Sequence, residues 1–125
     1  MSAVPVEPRP LNSSERAVLE RILSADFAGA PALRSQLART EVVAVWAPES
    51  VSVDLRVHEP VQHAAMTSEL VPVDAHVLDR SGEYVGELLV WTDEGATLRA
   101  LEYAWVTDDM PTALPTVDEV RISTR

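Results

Sequence analysis

Two hydrophobic periods divide the chain. From Leu11 to Arg39 apolar residues recur at three- and four-residue spacing; from Glu41 onward they recur at every second position. In the first stretch Val18, Leu19, Ile22 and Leu23 share one side of a helix that the spacing predicts near 13–25. Asn12 with Glu15 three residues later resembles a capping box, and Ser13 is an equally good cap. Gly29 can end this helix. Pro31 suits the first turn of a second, shorter helix through about Arg39, with Leu33 and Leu37 on its buried face and Arg34 and Arg39 in water.

The second stretch reads as strands. Glu41–Trp46 is rich in valine, and Ala47-Pro48-Glu49-Ser50 is a turn. Val51, Val53, Leu55 and Val57 then alternate with Ser52, Asp54, Arg56 and His58, the clearest half-buried strand in the chain. Glu59–Glu69 is a loop, or holds a short helical turn around Val61–Met66. A third strand is expected near Leu70–Asp79, where Pro72 argues for an edge position or a strand start. Asp79–Glu83 and Asp93-Glu94-Gly95 are tight turns bounding strands at Tyr84–Trp91 and Thr97–Trp105. In that last pair both faces carry bulky residues, so the hairpin is either covered on both sides or broken by a bulge, and Gly86 marks a bulge or a close approach.

The expected fold is α+β: two N-terminal helices laid across one face of a mostly antiparallel sheet of about five strands. Residues 11–107 form a single domain. Residues 1–10 are an extended proline-rich arm, and 108–125 a proline-containing tail that Val117, Val120 and Ile122 can clip to the body.

Composition removes many chemistries. All ten basic side chains are arginine, and cysteine is absent. There is no lysine for a Schiff base or a phosphate loop, and no thiolate nucleophile, disulfide or cysteine-ligated metal. The arginine-for-lysine replacement and the small valine- and alanine-rich apolar set read as GC-rich codon usage. The four glycines are too dispersed for a phosphate-cradling loop, and no Gly-x-Ser-x-Gly elbow occurs. A net charge of −10 repels nucleic-acid phosphate and anionic lipid and attracts basic partners. No run approaches the roughly 18 apolar residues of a membrane span, and the first ten residues lack the pattern of a secretory signal. A cytoplasmic protein with neither nucleic-acid nor membrane partners is expected.

Few residues then remain for chemistry. His58 and His76 lie on predicted polar strand faces; if their strands are neighbours, the two rings could share a metal with Asp54 or Asp74. No local ligand spacing supports such a site, so no catalytic, metal or cofactor residue is assigned. Asp54, Asp74 and Glu59 share those polar faces. The aromatics Trp46, Tyr84, Trp91, Tyr103 and Trp105 all fall on strands, as a core seam or as a partner-binding patch. The residues singled out for partner binding are Trp91, Tyr103, Trp105, Glu102, Asp54 and Asp74.

Three segments together, Leu19…Leu23-Ser24-Ala25-Asp26-Phe27-Ala28-Gly29-Ala30, Leu33-Arg34-Ser35-Gln36-Leu37 and Leu98…Leu101-Glu102-Tyr103, resemble a small actinobacterial family of hypothetical α+β proteins. The resemblance spans most of residues 11–106 and implies a fold and a lineage, but no activity. Relatives often carry a cysteine-rich link where this chain has Trp46-Ala47-Pro48-Glu49-Ser50, so no metal or redox role transfers. The leading expectation is a non-catalytic interaction module, inhibitor- or immunity-like, that meets a basic protein. Alternatives are a homodimer pairing sheet faces or edges through Trp91 and Trp105, and a small-molecule binder or hydrolase-like enzyme using His58 or His76 with a nearby carboxylate.

Overall fold

The computed structural model describes residues 3–125. In chain order it runs β1 (Val4–Pro10), α1 (Ser13–Leu23), α2 (Ala30–Gln36) with a 3-10 turn (Leu37–Arg39), β2 (Thr40–Val45), β3 (Val53–Val57), β4 (Val73–Leu78), β5 (Tyr84–Asp93), β6 (Thr97–Trp105), a second 3-10 turn (Val117–Glu119) and β7 (Val120–Thr124). The strands form one sheet in the order β1-β2-β3-β6-β5-β4-β7, with antiparallel neighbours throughout. The α+β class stands; the strand count rises from about five to seven.

Both added strands are sheet edges. The arm is β1, hydrogen-bonded to β2, and the tail ends in β7, hydrogen-bonded to β4. An edge strand pairs only one of its two sides, so Pro5, Pro8 and Pro10 fit there although they would break a central strand. Pro72 lies just before β4, and β4 is an inner strand because β7 covers it. The strand-start reading of Pro72 holds, and the edge reading does not.

Local signals set the helices. The Asn12 side chain accepts from the Glu15 N–H, and the Glu15 carboxylate accepts from the Asn12 N–H, so Asn12 is the cap. Glu15 is also gripped by both terminal nitrogens of Arg9 at 2.8 and 2.9 Å, which ties β1 to the start of α1. Helix α1 ends at Leu23, short of Gly29, and Arg34 from α2 donates to the Leu23 carbonyl at 2.7 Å.

The helices cover one sheet face. Val18, Leu19, Ile22, Leu23, Leu33 and Leu37 meet Val42, Val53, Leu55, Val73, Ala75, Val77, Leu88, Val90, Leu98 and Leu101 in a continuous core. The loop between β3 and β4 passes the end of the β5–β6 hairpin and is pinned there by Gln36. This side chain is fully buried; its amide donates to the Gln62 and Ala96 carbonyls, and its oxygen accepts from the Leu98 N–H. Both amide hydrogens and the oxygen thus have partners, which is what a buried amide requires. The Glu59–Glu69 segment forms no helical turn.

Two irregularities expected from the sequence occur. The β5–β6 ladder shifts between Trp91 and Thr92, where Arg99 is the extra residue. Gly86 has φ +156°, and a Cβ there would lie 2.5 Å from the Ala104 carbonyl oxygen, so this close approach admits only glycine. No helix among the described residues is long and apolar enough to cross a membrane.

Candidate docking face

Among the described residues no helix lies on the opposite sheet face. Strand alternation sends every second residue there, and cross-strand register aligns them in rows. One row runs Ala44 (β2), Asp54 (β3), Ala100 (β6) and Trp91 (β5). The next pairs Glu102 with Leu89, and a third runs Ala104, Glu87, His76 and Arg121 across β6, β5, β4 and β7. Trp46 follows β2 and turns to the same side.

Two indole–carboxylate pairs organise the row of small residues. Trp46 Nε1 donates to Asp54 Oδ1 at 3.0 Å, and Trp91 Nε1 donates to Glu102 Oε1 at 2.9 Å. Each pair joins neighbouring strands, satisfies the only polar atom of the indole, and leaves carboxylate oxygens and ring faces available. Both tryptophans and both acids are half-buried. Among the described residues no cation is in ion-pair contact with Asp54, Glu87 or Glu102. At one end of this face Trp46, Ser50, Ser52, Glu102, Trp105 and Met110 line an open hollow of about 230 Å³. Trp105 is exposed there, at 38%.

Four of the six residues singled out from the sequence therefore share the face: Trp91, Glu102, Asp54 and Asp74. Trp105 sits at its rim. Tyr103 is the one of the six that is buried, although it also lines the hollow. It has the parity of Trp105, but it lies far enough along β6 to meet the core and is only 6% exposed. Burial, and secondarily the negative charge of Glu119, raises its phenol pKa above the ordinary value. The missing member is Trp46. Its signal in the sequence was a tryptophan and an aspartate flanking one turn, but the bulge between Val42 and Ala44 hides the register that joins them.

The histidines do not come together. Strands β6 and β5 lie between β3 and β4, so the shared site imagined for His58 and His76 is not formed. His58 sits 3.0 Å from Glu41 and His63 2.8 Å from Glu59, all in exposed or half-exposed positions. The His58 contact, then Arg56, holds the Glu41 carboxyl below its ordinary pKa; His63 does the same to Glu59. His76 packs edge-on against Tyr84, with ring centroids 5.4 Å apart. Asp74 is held by Arg125 at 2.7 Å.

Compared with protein-family models, curated proteins and solved structures, the chain matches none of them.

Proposed function

We propose that this protein is a non-catalytic interaction module that meets a basic protein surface with the open face of its sheet. The observation that carries the reading is the pair of tethered tryptophans, Trp46 on Asp54 and Trp91 on Glu102, on a sheet face that no helix covers. Indoles fixed by their N–H groups present rigid apolar area at little entropic cost, as binding hot spots do. The carboxylates beside them complement arginine or lysine, and the net charge of −10 speeds the encounter. An inhibitor- or immunity-like role belongs to this class.

A homodimer has less support. Two copies of an acidic face repel one another, and the prolines of β1 remove N–H groups that edge pairing needs. An enzyme using His58 or His76 would need its imidazole among convergent groups in a concavity, whereas both rings are exposed.

Location, not charge alone, is the test. Asp54→Asn with Glu102→Gln keeps both indole acceptors and removes two charges from the face; Asp108→Asn with Asp109→Asn removes two from the exposed tail. With an oligo-arginine peptide as probe, the face variant should weaken binding about tenfold, the scale of one hot-spot contact, and the tail variant much less. Equal losses would sink the docking-face reading.

A further inference from the structure

A second cluster on the same sheet face carries a different chemistry. Asp74 and His76 are two apart on β4 and so point to one side; His76 stands directly opposite Glu87 on β5. One ligating atom from each lies within 4.8 Å of the other two. We propose that Asp74, His76 and Glu87 form a binding site for a divalent transition-metal ion of the zinc class.

One imidazole nitrogen with two carboxylates is a donor set that suits zinc and its neighbours better than magnesium or calcium, which prefer oxygen alone. Three protein ligands leave the remaining positions to water or to a group from a partner. All three side chains stand on paired strands, and His76 is steadied by its T-shaped packing with the Tyr84 ring, so little ordering is needed on binding. The setting is specific to His76. His58 and His63 each contact one carboxylate, and no second acid joins them within such a group among the described residues. Two arginines oppose the metal: Arg125 holds one oxygen of Asp74, and Arg121 stands opposite His76 on β7. Arg125 engages only Oδ1 of Asp74, so the competition is one of charge: its guanidinium opposes a cation on the same carboxylate.

That competition supplies a test with two signs. Zn²⁺ is titrated into the full chain while the ring signals of the three histidines are followed by NMR, and affinity is read by calorimetry. The expected result is one equivalent bound, with the His76 ring shifting before those of His58 and His63. His76→Asn should abolish this event. Asp74→Asn and Glu87→Gln should each weaken it about tenfold or more, at least the effect of losing an outer partner of a metal ligand. Arg125→Gln should strengthen it severalfold by releasing Asp74. A folded spectrum for each variant keeps misfolding apart from ligand loss. The proposal is overturned if the three rings shift in parallel, if His76→Asn still binds one equivalent, or if only His76→Asn matters and the carboxylates do not. Tighter binding without Arg125 that disappears when Asp74→Asn is added is an outcome that no merely structural role for Asp74 produces.

Discussion

The two faces of this sheet are made by the same strands and differ in how their polar groups are satisfied. On the covered side, buried polar groups turn inward to backbone: Gln36 to three backbone groups and Thr92 to the Glu69 carbonyl at 2.8 Å. On the open face the pairs are side chain to side chain, indole to carboxylate. The first arrangement closes a core against water. The second holds large apolar groups in place while leaving them half in water, which costs stability unless something else covers them. The docking role proposed above rests on this second arrangement.

The comparison can be broken most strongly at the core. Leu101→Ala and Leu19→Ala remove fully buried side chains and should each cost about 2–5 kcal/mol in urea unfolding. Leu89→Ala, on the same hairpin as Leu101 but on the open face, should cost under about 1 kcal/mol. A similar loss at both leucines would mean that the open face is core as well.

Gln36→Met is the next largest effect. It keeps volume and strands the Leu98 N–H with the Gln62 and Ala96 carbonyls, so a loss on the order of 1–3 kcal/mol is expected. Hydrogen exchange at Leu98 should rise with it. An unchanged stability would show that the amide network is replaceable by packing.

The smallest effect is electrostatic. Glu41 should titrate below its ordinary value of 4.5, and His58→Asn should move it upward, read from carboxyl NMR shifts. The sign follows from linkage. A carboxyl depressed in the folded state stabilises fully above its unfolded pKa, and that contribution is lost as pH falls through its lower folded value. Glu59 with His63 behaves alike, so acid should erode both contacts below the ordinary carboxylate range.

Much of the covered face was legible in the sequence because it rests on local periodicity. The 3.6-residue spacing of Val18, Leu19, Ile22 and Leu23, the Asn12–Glu15 box and the alternation of Val53, Leu55 and Val57 each report burial without knowledge of topology. The edges were hidden, since the prolines of β1 and the polar residues of β7 carry no strand signal of their own and are set by partners far away in the chain. The open face was half legible. Parity put Asp54 and Asp74 outward and left Trp91 and Glu102 open between core and surface, and strand order decided which of them meet. It separated His58 from His76 and brought Glu87 to His76 instead. Tyr103 and Trp105 show the limit of parity: one position is roofed by the core, and the other has run past it.

The most direct test of the docking face is an NMR map of the labelled chain titrated with an oligo-arginine peptide at low and at moderate salt. The indole N–H signals of Trp46 and Trp91 report the two tethered pairs individually. They should shift first, together with the amides of Asp54, Ala100 and Glu102, and the effect should weaken with salt as steering is screened. Shifts confined to the helix face or to Asp108 and Asp109, with both indole signals unmoved, would contradict the account.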